Sequence, residues 1–285
     1  MASNPSSYNW KEIISSQSGA WKPNFAEIWR YRDLMMLLVH RDFVTFYKQT
    51  VLGPIWFVLQ PILSTALYMF IFGRVAHLST DGIPQILFYL SGITAWNYFA
   101  ECVTKTSNAF TVNAGIFGKV YFPRLIVPLS TIISNLLKLG IQMLLFVSVL
   151  IYFLAHDRVS MSISSLGLIL PFILMMALLG LGVGLIISSL TTRYRDLQFL
   201  VQFGIQLMMF ATPVVYPLSM IPVEQRWLLQ INPMTTVIEG FRYVFFGRAT
   251  LDMYAVCYSI GVTILLVFAG LVIFHRVERS FIDTV

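Results

Sequence analysis

The chain has 285 residues, of which 57% are hydrophobic and only 11% charged. Soluble domains carry about 25% charged residues, so this composition excludes a water-soluble globule and leaves lipid as the solvent. The formal net charge of +6 comes from basic residues scattered among apolar segments, which is no nucleic-acid footprint but fits the positive-inside bias of a membrane protein.

The first stretch, "MASNPSSYNWKEIISSQSG", is polar and lacks the apolar region of a cleavable signal. Residues 1–24 are taken as an N-terminal extension without an assigned role, and 25–285 as a single transmembrane domain. Residues 25–48 predict a helix, with Asn24 as N-cap and Glu27 three residues on, in the manner of a capping box. Ile28, Met35, Val39, Phe43 and Phe46 share one face; Arg30, Asp33, Arg41 and Lys48 share another. Such a helix lies in the membrane interface; a plain cytoplasmic packing helix is the alternative.

A helix needs roughly 20 apolar residues to cross the hydrocarbon core. Six stretches qualify, at about 51–73, 83–104, 125–154, 165–190, 197–216 and 253–274, the third interrupted only by Lys138. The predicted fold is therefore an all-α integral membrane protein. Pro54, Pro61, Pro171 and Pro213 are read as kinks, tolerated where neighbours satisfy the freed carbonyls. An even number of spans puts both termini on one side. Thirteen basic residues then fall on that side and five on the other, which makes the termini cytoplasmic.

"INPMTTVIEGFRYVFFG", residues 231–247, is apolar but too short to span, and carries Glu239 and Arg242 one turn apart. It lies on the outer side between spans five and six. Two short helices near 224–230 and 235–246, broken at Asn232 and Pro233, predict a re-entrant hairpin. In it Glu239 and Arg242 neutralise each other beside an aqueous opening. An ordinary amphipathic outer helix is the alternative.

Nothing in the sequence points to an enzyme. His40, His77, His156 and His275 have no metal-ligand spacing, and Cys102 and Cys257, both in apolar segments, read as buried small side chains. "NAGIFGKV", residues 113–120, fails as a phosphate loop, because Asn113 stands where a glycine is needed and Val120 where Ser or Thr is. What stands out is polar residues at helical spacing within the spans. They are Gly53, Phe57, Gln60, Ser64 and Tyr68 in span one, and Ser91, Thr94, Tyr98, Glu101 and Lys105 in span two. Span three has Thr131, Asn135, Lys138 and Gln142; span five has Gln198, Gln202, Gln206, Met209 and Tyr216. Polar residues at membrane depth face the bundle or water. For spans two and three the favoured reading is interhelical glue, with Glu101 and Lys105 as an i, i+4 pair. Three glutamines at i, i+4 in span five are harder to dismiss and suit a neutral, hydrated path. Gly180 and Gly184 form a small-xxx-small pair read as tight helix packing.

The order of parts resembles the type-2 ABC exporter permeases, in the branch that moves lipid-linked polysaccharides such as O-antigen, teichoic acid or capsule. The resemblance is carried by "VLGPIWFVLQPI", "IFGKVYFPRLIVPL", "TTRYRDL" and "VVYPLSMIPVEQRWLLQINPMTTVIEGFR", and covers roughly residues 25–280. It implies a homodimer paired with two ATP-binding cassette subunits that bind ATP and Mg, with no cofactor in this chain. It also implies a bacterial inner-membrane location and a lipid-linked polysaccharide, O-antigen foremost, as substrate. The same resemblance puts the coupling to the ATPase on Phe117, Lys119, Tyr121 and Arg124; Arg193, Arg195 and Asp196 are taken as a cytoplasmic gate loop whose arginines meet a headgroup diphosphate, with simple positive-inside anchoring as the alternative. The resemblance puts the path on spans one and five, where Phe57, Gln60, Ser64, Tyr68, Gln198, Gln202 and Gln206 already stood out. Amides exchange hydrogen bonds with sugar hydroxyls, and aromatic faces pack on sugar C–H groups. A permease for a small hydrophobic molecule or drug is the alternative. A channel or secondary transporter without ATP predicts intramembrane carboxylates for ion coupling, and Glu101 is a poor candidate.

Overall fold

The computed structural model describes residues 25–48, 51–117, 122–157, 159, 163–192, 194, 196–247 and 251–282. Among them every regular element is helical. The expected helix over 25–48 forms as α1 (Phe25–Arg30) and α2 (Arg32–Lys48), parted by a single turn residue, Tyr31. Its Asn24 cap lies outside the described residues. Leu38 and Val39 are buried where α2 packs on the third span, while Trp29, Met36 and Leu37 stay exposed on α1 and α2.

The first span opens on a tight turn at Gly53, whose φ of 52° is a left-handed conformation that favours glycine. It continues as α3 (Trp56–Tyr68), with Pro61 buried inside it, and ends in a π-helical turn over Met69–Val75. Then come α4 (Gln85–Ser107), α5 (Ala109–Phe117), α6 (Ile126–Ala155), α7 (Ile169–Thr191) and α8 (Leu197–Phe210). On the far side of a looped stretch lie α9 (Arg226–Gln230), α10 (Pro233–Phe246) and α11 (Met253–Ile282).

Four described helices are long and apolar enough to cross a membrane: Gly53–Val75, Ile126–Ala155, Ser165–Thr191 and Met253–Glu278. The other two expected spans differ in instructive ways. The helix α4 has 23 residues, or about 35 Å at 1.5 Å per residue, but carries too many polar groups to read as a lipid-facing helix. The helix α8 stops at Phe210 after 14 residues instead of running to 216, so Pro213 sits in a turn and kinks no helix.

At the centre, α7 packs on α4 and α11, and α10 packs on all three. Glycines set the spacing. A Cβ at Gly180 would fall 2.6 Å from the Cβ of Cys102, and one at Gly184 would fall 2.5 Å from the Cβ of Thr106. On the opposite side of α7, a Cβ at Gly182 would fall 2.8 Å from the backbone of Leu266 and Val267. Small residues let backbones approach where no hydrophobic force draws helices together in lipid, as the Gly180–Gly184 spacing anticipated. By contrast α8 has no buried residue; Phe199, Leu200, Phe203 and Leu207 are all exposed. Cys102 is buried as expected, but Cys257 is exposed, because it lies on the outward face of α11.

Candidate functional site: two stripes, an outer ion pair and a cytoplasmic clamp

The stripes of spans one and five meet at one point. The Tyr68 hydroxyl donates to the Met209 sulfur at 3.7 Å, joining α3 to α8. Gln60, Gln202 and Gln206 are exposed, and Ser64 and Gln198 half-buried. Gln198 is not a free amide: its Nε2 donates to the Thr111 hydroxyl on α5 at 3.2 Å. Phe57 is buried, and its ring face is covered by the Lys138 ammonium 5.4 Å away.

That lysine belongs to a polar cluster between α4 and α6. Glu101 forms its short ion pair with Lys138, while Lys105, the neighbour suggested by spacing, is 3.8 Å from it. Lys105 also donates to Asn135 Oδ1 at 2.8 Å, and Asn135 Nδ2 reaches the Cys102 sulfur at 3.6 Å. These groups tie the second and third spans together, which is the glue reading of those stripes. A lone Lys138 in an apolar stretch and a lone Glu101 in another were the available signal that they pair.

On α10 the break at Asn232 and Pro233 has a local cause. Pro233 sits in the first turn, where its missing N–H costs nothing, and the Asn232 side chain accepts from the Met234 amide at 3.0 Å as an N-cap. Gly247, at φ 63°, closes the other end. Glu239 and Arg242 pair at 2.9 Å, as their spacing predicts. Glu239 lines an outer cleft together with Gln230, Thr235 and Asp252. Arg242 is 2% exposed; its guanidinium lies 3.7 Å from the centroid of the Phe88 ring and donates to the Val214 carbonyl at 2.9 Å. Asn232 also donates to Thr212 at 2.8 Å. Together these contacts bind the turn that follows α8 to α10 and α4. Neither Val214 nor Phe88 carries any sequence signal of this role.

At the cytoplasmic ends expected for these helices, Phe117 turns inward. Its ring packs on Phe110 and Phe122, with centroids 5.9 and 5.6 Å away. Phe110 in turn stacks on Phe274 of α11 at 4.5 Å. Arg124 is buried, lies 5.5 Å from the Phe117 ring, and donates through its amide and its guanidinium to Glu278. Burial pushes its pKa below the usual range, and the nearby Glu278 carboxylate acts against that shift. Asp196, just before α8, is exposed. Lys119, Tyr121, Arg193 and Arg195 lie outside the described residues. Of the large apolar side chains described on α5, Val112 and Ile116 are exposed.

Residues 33–246 match the family model described as "ABC-2 type transporter". The chain belongs to the ABC-2 type transporter family. It is 31% identical over 253 residues to the O-antigen export system permease protein RfbA of Klebsiella pneumoniae, covering 88% of this chain and 94% of that protein. It is 26% identical to the protein of the same name from Myxococcus xanthus, over 91% of this chain and 98% of that one. Similarity to the polysialic acid transport protein KpsM of Escherichia coli is 24% over 86% of this chain and 93% of KpsM. As an ABC-2 transporter chain it is a transport permease, and the stripes, the ion pair and α5 all lie within the matched region. Phe274 and Glu278, which hold α5 and Arg124, lie beyond it.

Proposed function

We propose that this chain is the membrane-spanning subunit of an ATP-driven exporter that moves a lipid-linked polysaccharide, O-antigen foremost, across the bacterial inner membrane. The observation that carries this reading is the 31% identity with an O-antigen export permease over nearly the whole of both chains. In this reading the chain is one membrane domain over 25–285, following the extension at 1–24, with six spans and both termini cytoplasmic. Helices α4 and α8 supply the two spans beyond the four apolar ones. A second polar helix is tolerated when its polar face meets protein, and a short one when its neighbours or partner cover its ends. Helices α9 and α10 form the re-entrant outer element, α10 as its buried half.

Two copies of the chain assemble with two ATP-binding cassette subunits, which bind ATP and Mg. The segment over 116–124 couples to those subunits and the loop at 193–196 gates the cytoplasmic end. Gln60, Ser64 and Tyr68 of α3 and Gln202 and Gln206 of α8 line the path, with Phe57 and Gln198 at its cytoplasmic limit. Exposed amides and hydroxyls offer a sliding sugar chain many weak, interchangeable hydrogen bonds, each worth about 1 kcal/mol.

Deleting the gene tests this. The expected result is loss of long-chain polysaccharide from the cell surface, with its accumulation inside on the lipid carrier. Complementation should require a partner ATPase able to hydrolyse ATP. Unchanged surface polysaccharide together with a new sensitivity to a hydrophobic drug would contradict the polysaccharide reading in favour of a small-molecule exporter.

A further inference from the structure

Phe110 in α5 and Arg124 just before α6 are both held by one turn of α11. Phe110 stacks on Phe274, with centroids 4.5 Å apart and rings inclined by 21°. Four residues further along α11, Glu278 receives Arg124. The Arg124 amide donates to Glu278 Oε1 at 3.2 Å, and its guanidinium donates to the Glu278 backbone carbonyl at 3.0 Å. The second carboxylate oxygen is held by His275 Nδ1 at 3.0 Å. Residues four apart share a helix face, so the two clamps form one mount. Phe117 and Phe122 fill the space between them.

The α11 side of this mount is stiff. Helix α11 packs backbone to backbone on α7, where a Cβ at Gly270 would fall 2.7 Å from the Gly182 carbonyl oxygen. The opposite attachment is light. Thr111 of α5 holds Gln198 of α8 by a single hydrogen bond of 3.2 Å, and α8 has no buried residue. A force applied at α5 or at Arg124 therefore meets a fixed support on one side and a helix without buried residues on the other.

Building on the reading of 116–124 as the coupling segment, we infer that Glu278 is a positioning residue that mounts this segment on the end of α11. Movement imposed by a partner is thereby delivered to α8 through Thr111 and Gln198. Glu278 touches neither substrate nor nucleotide; it acts through Arg124.

The test has two arms, both on the full chain in lipid nanodiscs. In the first, an arginine-specific protease cuts after Arg124, which is 8% exposed when clamped. Cleavage that depends on local opening follows the open population, and losing a hydrogen bond to a charged group shifts such an equilibrium by about tenfold. Glu278→Ala should be cut at Arg124 about tenfold faster than wild type, whereas Glu278→Gln, which keeps an oxygen for the Arg124 amide but not the charge, should be cut at a rate between the two. Equal cutting of all three would overturn the mount, and this arm holds whatever the chain transports. In the second arm the chain is assembled with its ATPase, and substrate exported per ATP hydrolysed is compared. Glu278→Ala should lower that ratio at unchanged subunit stoichiometry, and Glu278→Gln should restore part of it. A merely structural loss would reduce the amount of assembled complex and leave the ratio alone. An unchanged ratio in a variant whose Arg124 is released would overturn the transmission role.

Discussion

Replacing Glu239 by glutamine leaves the Arg242 guanidinium, 2% exposed, without its carboxylate. Its remaining contacts are the Val214 carbonyl at 2.9 Å and the Phe88 ring at 3.7 Å, neither of which neutralises a full charge, although the Asp81 carboxylate also acts on it. Arginine does not escape by losing its proton. Removing one partner of a buried ion pair costs about 3–5 kcal/mol, and each kcal/mol lowers Tm by about 2–4 °C in a chain of this size. A fall of about 6 °C or more is expected for Glu239→Gln. Arg242→Met should also destabilise, by stranding the carboxylate and releasing the Val214 turn. Combining the two leaves neutral side chains of similar volume, a replacement that is often close to neutral. The double variant should therefore be more stable than the sum of the single losses predicts, by about 2 kcal/mol. Thermal unfolding of the four proteins in one detergent, followed by tryptophan fluorescence, measures the cycle. Additive effects would refute the pairing. Swapping the charges, with Glu239→Arg and Arg242→Glu, should not rescue. A carboxylate at position 242 would face the Val214 carbonyl oxygen and the electronegative face of Phe88. A full rescue would show that those two groups do not fix the direction of the pair.

Gly180→Ala should destabilise the chain by about 1–3 kcal/mol through overpacking, since its new Cβ would fall 2.6 Å from that of Cys102; adding Cys102→Gly should recover part of the loss in the same unfolding assay. Val112→Asp should weaken assembly with the ATPase while leaving the chain's own Tm near wild type, because Val112 is exposed. Phe117→Ala should lower Tm first, since its ring is spent on Phe110 and Phe122; pull-down and unfolding measured together distinguish the two. With Cys102 and Cys257 replaced, single cysteines at 202 and 206 should react with a water-soluble thiol reagent in the ATP-bound transporter. A cysteine at 200 should react less, and one at 198 should lag behind 202 because that position is turned toward Thr111.

The long apolar helices were legible almost to the residue. Stretches expected at 125–154 and 165–190 appear as Ile126–Ala155 and Ser165–Thr191, because runs of more than twenty almost wholly apolar residues have few alternatives. The end of α8 was not legible. Residues 211–216 are as apolar as a span, but Thr212 and Val214 are drawn to Asn232 and Arg242, contacts that hydropathy does not encode. Spacing found the Glu239–Arg242 pair but not its burial, since an i, i+3 pair looks alike on a surface and in a core. Spacing found the Glu101–Lys105 pair, 3.8 Å apart, but not Lys138, 37 residues on, which is closer in space. Arg124, expected to offer its charge to a partner, is committed to Glu278. The available hint was a single carboxylate among Arg276 and Arg279 at the end of the last helix.

Export itself is measured most directly in inverted membrane vesicles that contain this chain, with and without its ATPase, loaded from outside with a lipid-linked polysaccharide. The polymer should become protected from an added glycosidase only when both subunits and hydrolysable ATP are present, and the tryptophan substitution Gln202→Trp should abolish protection without releasing the ATPase. Protection by the chain alone, or without ATP hydrolysis, would contradict an ATP-driven polysaccharide exporter.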